Sequence, residues 1–488
     1  MDPVQRLQEL EVRLATIDQR IRELNEERSF LLAEKANCEA FLEEENEEKT
    51  ATHSSSAAPT DPMARYFQPD GFAWSNQLRE AAARVWGLPE FRPLQLPVMN
   101  AALDGRDVFV IMPTGGGKSL CYQLPALLTP GVTLVISPLI ALIQDQVYGL
   151  REVGVKVGML TGSTPKEEIK EQPKNSDPRG RGGSTTSADQ ENDPIRLVYV
   201  TPEKIAKSKR FMSLLEKLYN AGQLARIVVD ECHCCSQFGH DFRPDYKKLG
   251  ILRTVFPRTP IMALTATCPV TVLNSVVSIL QWQETSVGQP TGSATGTLLF
   301  SSPLYRPNLA YRVIEKAGSQ SEQVQQIADW ITTHHPRQSG IIYCLSRKEA
   351  ESFAQEVASA SAGRIQTGVY HAELDDAYKV KVHHLWRTGK LEVVIATIAF
   401  GMGINNPHVR FVIHHSLSKS IEGYYQESGR AGRDGQPADC VLFYRSADAS
   451  RLTTWNVADQ DGLENAHSMI RYAEDPRTCR KLLFEDYF

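Results

Sequence analysis

The 488-residue chain has no apolar run long enough to span a bilayer, which excludes a membrane-crossing helix. Its first residues are strongly charged, so a secretory signal is not expected. Nor is there a cysteine framework: the nine cysteines are mostly solitary and several fall inside apolar strand-like runs, which fits a reducing compartment. The cluster Cys232, Cys234, Cys235 has the spacing C-x-C-C without a second ligand pair, the wrong pattern for a structural zinc site. An excess of positive charge is also missing. At a net charge of −5, any nucleic-acid binding has to use a local groove rather than a global field. What remains is ordinary, with 42% hydrophobic residues, and the length is too great for one core, so about three domains are expected.

Against that background the stretch Val108 to Ser119, VFVIMPTGGGKS, stands out. An apolar β-type run breaks at Thr114 into Gly115, Gly116 and Gly117, then Lys118 and Ser119, then a helical pattern. Residues without Cβ let successive backbone N–H groups converge on phosphate oxygens, and the helix N-terminus adds positive potential. Lys118 can reach the β- and γ-phosphates, and Ser119 can ligate Mg²⁺. Met112 stands where the commonest phosphate-loop pattern has its first glycine.

A phosphate cradle does not by itself activate water. Leu224 to Val229 read as a buried strand, with Asp230, Glu231, Cys232 and His233 at its end. Asp230 is placed to hold Mg²⁺ and Glu231 to orient or deprotonate the attacking water. A helix-capping acidic pair is the plainer alternative on this segment alone. Tyr424 to Gly435, YYQESGRAGRDG, supplies a third piece. Arg430 and Arg433 are three apart among glycines, the spacing expected of arginine fingers delivered to a γ-phosphate from a second domain, and Gln426 in the same segment is assigned to the nucleotide site.

With these motifs in place, the chain resembles superfamily 2 helicases and, within them, the RecQ DNA helicases, from about Trp74 onward. Phe91, Arg92 and Gln95, in FRPLQ, resemble the family's adenine-recognition element; SPLIALIQDQ (137–146) resembles the element that grips the strand backbone. LTATC (264–268), with Thr265 and Thr267, resembles the motif that couples ATP state to nucleic-acid grip. SGIIYCLS (339–346), YHAEL (370–374) and ATIAFGMGINNPHVRFVIHH (396–415) match in order in the second half. CCSQFGHDFRPDY (234–246) resembles the aromatic-rich loop that couples DNA binding to hydrolysis, although position 238 is Phe where the family usually has Trp. Gln237, Phe238, His240, Phe242, Arg243 and Tyr246 are the residues assigned to a sequence-tolerant single-strand platform.

The expected fold is α/β: two tandem RecA-like, doubly wound parallel-sheet domains, preceded by an N-terminal coiled-coil helix. Leu7, Leu10, Leu14, Ile17, Ile21, Leu24, Leu31, Cys38 and Leu42 form a heptad seam, interrupted by Arg28 and Lys35, through which chains would self-associate. The expected limits are 1–48 for this helix, 49–73 for a flexible linker, 74–283 for the first domain with a mobile insertion at 161–194, 284–304 for a linker, and 305–450 for the second domain. Residues 451–488 are read as the start of a truncated zinc region, in which Cys479 resembles the first zinc cysteine of the family's four-cysteine module; a single cysteine cannot make the tetrahedral site.

The resemblance implies ATP with Mg²⁺, 3′ to 5′ movement on single-stranded and tailed duplex DNA, a role in repair, recombination and replication, and a nuclear location. A DNA-stimulated ATPase that does not separate strands, a non-catalytic oligomerising scaffold and an RNA substrate stay open as alternatives.

Overall fold

Short continuous apolar runs buried on both faces are the mark of parallel sheets, whose crossovers cover both faces with helices. The computed structural model describes residues 63–160, 194–236, 243–282, 285–286, 296–401, 406–457 and 461–488. The expected coiled coil, nearly all of the 161–194 insertion and the 237–242 stretch lie outside them. Eight strands, β1 Val108–Ile111, β2 Val132–Ile136, β3 Val157–Leu160, β4 Leu197–Val200, β5 Leu224–Val229, β6 Ile261–Thr265, β7 Thr285–Ser286 and β8 Thr297–Ser301, form the first sheet. Its order is β3-β4-β2-β5-β6-β1-β8-β7 and its pairings are parallel. Around it lie α1 Ser75–Trp86, α2 Gln95–Leu103, α3 Leu120–Leu128, α4 Ile140–Glu152, α5 Pro202–Lys207, α6 Lys209–Asn220, α7 Pro244–Lys247, α8 Ile251–Val255 and α9 Val270–Ile279.

The two-residue period of a strand divides β1 between two cores: Phe109 and Ile111 enter one, Val108 and Val110 the other. Each such side chain contributes about 1.5–3 kcal/mol on burial. The strand order puts β5, β6 and β1 side by side, so their carboxyl ends, which carry the acidic pair, Thr265 and the glycine loop, open onto one edge.

The second sheet has the order β11-β12-β10-β13-β14-β9, with β9 Leu309–Glu315, β10 Ser339–Tyr343, β11 Thr367–Tyr370, β12 Val393–Ala396, β13 Val409–His414 and β14 Ala438–Tyr444, again paired in parallel. Its helices are α10 Gln320–His334, α11 Arg347–Ala360, α12 Asp376–Arg387 and α13 Ile421–Ser428. Capping boxes start two of them: Ser319 with Glu322 and Ser346 with Glu349 satisfy each other's exposed backbone donors. Gly340 in β10 is required by packing, since a Cβ there would lie 2.1 Å from the Phe411 ring.

Three expected limits are corrected. The stretch 284–304 is not a linker: TLLFS forms β8, whose Leu298 pairs with Val108 beside β1, so the first domain runs to Ser301. The 49–73 linker ends early, because Tyr66 is buried, its hydroxyl donates to Asp104 Oδ2 at 2.6 Å, and its carbonyl accepts from Asn100 Nδ2 at 2.9 Å. The second domain's limit at 450 moves outward, because residues 451–488 pack into its core. Within α14 Ser446–Asn456, α15 Gly462–Glu474 and α16 Arg480–Tyr487, the side chains of Leu452, Met469, Tyr472 and Phe484 share one core with Tyr424, Tyr425 and Leu442. Among the described residues no helix is long and apolar enough to cross a membrane.

Candidate active site

The loop after β1 turns at Gly115 and Gly117, whose φ values of 82° and 87° suit only glycine. A Cβ on Gly117 would fall 2.3 Å from Gln95 Nε2. That amide is fixed at both ends: Nε2 donates to Gly117 O at 3.1 Å and Oε1 accepts from Arg92 N at 2.8 Å. Arg92 in turn donates from Nη1 to Gly115 O. The FRPLQ segment is therefore tied directly to the glycine loop, with Leu94 in the left-handed region (φ 65°) at the start of α2. Lys118 Nζ donates to Met112 O at 3.0 Å, which holds the ammonium at the mouth of the loop.

The acidic pair ends the neighbouring strand. Asp230 N donates to Ile136 O at 2.9 Å, and Tyr246 Oη donates to Asp230 O at 3.0 Å, so the backbone of Asp230 is held from both sides. Burial, then the adjacent Glu231, pushes the Asp230 carboxyl up to about 7 against the pull of Lys118. Glu231 takes the left-handed conformation (φ 48°), an outlier for this residue type. His233 Nδ1 lies 2.9 Å from Thr265 Oγ1, whose own proton goes to Thr267 O at 2.9 Å. Because that hydroxyl has only one proton to give, the imidazole must be the donor at Nδ1. Glu231 Oε2 lies 3.5 Å from the same nitrogen and, among the described residues, has no hydrogen-bond partner of its own.

From the second domain, Arg433 crosses to the glycine loop, where a Cβ on Gly115 would come within 3.2 Å of Arg433 Cγ. Burial, then Arg430 and Arg306, draws its pKa down to about 9. Arg430 behaves differently. It is buried within its own domain, beside Tyr343 and Gly401, its Nε and Nη1 have no hydrogen-bond partner among the described residues, and it does not line the cleft. Of the two arginines expected as fingers, the structure brings Arg433 to the cleft and leaves Arg430 off its lining.

These parts enclose a cleft of about 650 Å³ lined by Thr114, Gly115, Gly117, Lys118, Ser119, Asp230 and Glu231 on one side and Pro407, Arg433 and Asp434 on the other, with Arg92 and Gln95 at one end. Phe91 packs instead against the cluster of Leu78, Met99 and Leu124. Gly116 and Gln426 do not line the cleft, and Gln426 Nε2 is buried without a hydrogen-bond partner among the described residues. Trp86, Leu88 and Glu90 do line it, as do Asp145 and Gln146 of α4, a segment read from the sequence as gripping DNA. Their signal was available only as proximity to FRPLQ and as polar residues on a helix. α4 also meets the second domain: Arg387 lies 3.8 Å from Glu152 and 5.9 Å above the Tyr148 ring.

Of the residues assigned to the strand platform, Gln237, Phe238, His240 and Phe242 lie outside the described residues. Tyr246 is corrected: it is fully buried in the first domain's core and has no face for a base. Arg243 is half-buried and donates from Nη1 to Pro138 O at 2.8 Å, joining the base of the aromatic loop to the 137–146 element. Thr265 and Thr267 are both buried beneath the acidic pair. Cys479 is exposed at the start of α16 and belongs to no group of three metal-ligating side chains among the described residues.

Such a cleft can hold a polyphosphate between backbone donors and cations, and Ser119 and Asp230 offer the oxygen donors that suit Mg²⁺. Two family descriptions match the chain: DEAD/DEAH box helicase over residues 92–276 and helicase conserved C-terminal domain over residues 322–435. Over 475 residues the chain is 44% identical to ATP-dependent DNA helicase Q1 of Mus musculus, covering 97% of this chain and 69% of that protein. It is 43% identical over 483 residues to ATP-dependent DNA helicase Q-like 2 of Arabidopsis thaliana (99% and 64%) and 41% identical over 438 residues to a RecQ-like DNA helicase of Xenopus laevis (88% and 30%). The chain thus spans 64% of the length of the Arabidopsis relative. Among solved structures, the Mycobacterium smegmatis helicase Lhr, bound to single-stranded DNA and AMP-PNP, superposes with a TM-score of 0.54 at 21% identity, over 83% of this chain and 51% of that one, a likeness of fold.

Proposed function

The chain belongs to the RecQ family of superfamily 2 helicases, and we propose that it is an ATP-dependent DNA helicase that moves 3′ to 5′ along single-stranded DNA. The observation that carries this reading is the shared cleft, in which Arg433 of one sheet lies against the glycine loop of the other. ATP is the substrate. Backbone amides of 115–119 and the Lys118 ammonium bind its phosphates, Gln95 and Arg92 hold the base end, and Ser119 with Asp230 would hold Mg²⁺. When bound, Mg²⁺ neutralises charge developing on the phosphates. Glu231 orients the attacking water and accepts its proton at the carboxylate, while Arg433 stabilises charge at the γ-phosphoryl group.

The motion follows from the split site. Once the β–γ bond is hydrolysed and phosphate departs, the charge that Arg433 was holding is gone, the cleft relaxes, and the line from Glu231 across 3.5 Å to His233 and on through the two hydrogen bonds of Thr265 carries the change toward the strand grip. We assign that grip to Gln237, Phe238, His240, Phe242 and Arg243; the Arg243 to Pro138 bond supports the assignment by joining the aromatic loop to the 137–146 element. Self-association through residues 4 to 42 belongs to the same proposal, on the heptad seam, and an assembly undiminished by their deletion in light scattering would count against it. To the same proposal belong a role in repair, recombination and replication and a nuclear location, supported by the similarity to named DNA helicases.

The deciding experiment is release of a labelled strand from a duplex with a 3′ single-stranded tail, with ATP and Mg²⁺. Release that Lys118→Ala abolishes supports the helicase; DNA-stimulated ATP turnover without release would replace it with a translocating ATPase.

A further inference from the structure

The loop that carries Arg430 and Arg433 is short, glycine-rich and left-handed at Gly432 (φ 57°) and Gly435 (φ 84°). Such a segment does not hold a fixed path by its own propensity. Its carbonyl oxygens, however, converge on one side chain from 123 residues earlier in the chain. Arg306 donates from Nη1 to Gly429 O at 2.7 Å and from Nη2 to Ala431 O at 2.9 Å and Gly432 O at 2.6 Å. Asn308 adds two more bonds from Nδ2, to Gly432 O at 2.9 Å and Gln436 O at 2.8 Å. Arg410 closes the far end on the Asp434 carboxylate at 2.7 and 2.8 Å.

Arg306 is half-buried, and among the described residues no carboxylate pairs with it. Its guanidinium is therefore committed to backbone oxygens. That use needs a planar fork of several donors, which an ammonium does not supply. The same loop touches the nucleotide cradle at two points: a Cβ on Gly429 would lie 3.3 Å from Thr114 Cβ, and Arg433 Cγ sits over Gly115. A shift of the loop is a shift of Arg433 relative to the phosphates.

We propose that Arg306, assisted by Asn308, is a positioning residue for ATP hydrolysis, a carbonyl clamp that fixes the loop so that Arg433 meets the γ-phosphate across the cleft. The proposal rests on the ATPase reading above. It predicts that the clamp affects turnover and not ground-state binding, because the contacts it organises count when charge develops. Misplacement on the scale of an ångström is enough for a large loss.

Three variants test it: Arg306→Gln, Arg306→Lys and the double variant Arg306→Gln/Arg433→Ala, each compared with Arg433→Ala. DNA-stimulated kcat is expected to fall about 10- to 100-fold in both single Arg306 variants, lysine included, with the Kd for a fluorescent ATP analogue changed less than about threefold. The double variant should turn over no more slowly than Arg433→Ala alone, since the clamp acts through that residue. Full activity in Arg306→Lys, an unchanged kcat in Arg306→Gln, or losses that multiply in the double variant would each overturn the clamp. Hydrogen exchange of the 429–436 amides supplies a readout independent of turnover: faster exchange in Arg306→Gln, with distant segments unchanged, is expected, and unchanged exchange overturns the proposal. If the wild-type chain itself hydrolyses no ATP, the ATPase reading fails and the exchange result alone decides whether the clamp exists.

Discussion

Thr265→Val tests the line that joins the acidic pair to the strand grip. Valine has nearly the shape of threonine and lacks only the hydroxyl, so packing around this fully buried position is kept. Two hydrogen bonds are lost: that from His233 Nδ1 at 2.9 Å and that to Thr267 O at 2.9 Å. Each buried group left without its partner costs about 1–3 kcal/mol, so a destabilisation of about 2–4 kcal/mol is expected in urea titrations, with the slope m unchanged. The functional loss should be of another kind. His233 is freed from its fixed tautomer and swings relative to Glu231 Oε2, so turnover at saturating single-stranded DNA should fall toward the DNA-free rate while ATP affinity holds. Thr265→Ser restores the donor and acceptor and should recover most of the stimulation. A Thr265→Val protein with the wild-type stimulation ratio and a stability change under about 0.5 kcal/mol would falsify the coupling role of this hydroxyl.

Other positions yield sharp expectations. Gly340→Ala drives a methyl into the Phe411 ring, which is itself hemmed in by Trp330 and His335, and should cost about 2–3 kcal/mol in chemical denaturation; a wild-type midpoint would show that the ring can move. Tyr246→Phe removes the donor to Asp230 O and should cost about 1 kcal/mol while leaving single-strand affinity unchanged, whereas a large affinity loss would return this ring to the DNA surface. Burial raises the Glu349 carboxyl, but the bonds from His415 and Arg451 outweigh it and hold the group well below its ordinary range. Its contribution is therefore fully present above the unfolded-state value of about 4.3 and fades as pH falls through the lower folded value. Glu349→Gln should cost about 1.5–3 kcal/mol at pH 7, since Arg451 is partly exposed, with the gap to wild type narrowing below about pH 4; a gap constant with pH would assign the loss to packing.

The parts of the site legible in the sequence were those whose chemistry is local. A strand that breaks into Gly115 to Ser119, or that ends in Asp230 and Glu231, places its functional atoms by its own geometry. Arg306 and Asn308 escaped notice because a clamp on carbonyl oxygens more than 120 residues away selects no neighbouring pattern. Tyr246 differs from its expected place for a related reason: composition reports an aromatic ring, and only the packing of β5 and the helices around it decides whether that ring faces a base or the core. Likewise TLLFS, five residues between glycine-rich and proline-rich segments, has too little period to be distinguished from a linker until Val108 supplies its neighbour. The fold class was easier, because the alternation of apolar runs with helical patterns repeats across both halves. For residues 451–488 a family pattern speaks of zinc ligands and not of packing, and the structure shows Tyr472 and Phe484 in the hydrophobic core of the second domain.

Helix α4 serves both halves, with Asp145 and Gln146 on the nucleotide cleft and Tyr148 and Glu152 under Arg387. This makes the seam a pharmacological target distinct from the phosphate cradle. A small molecule lodged between Arg387 and Tyr148 would hold the halves apart and disarm Arg433 without resembling a nucleotide, and by linkage ATP, which draws the halves together, would weaken its binding by the same factor that it weakens ATP's.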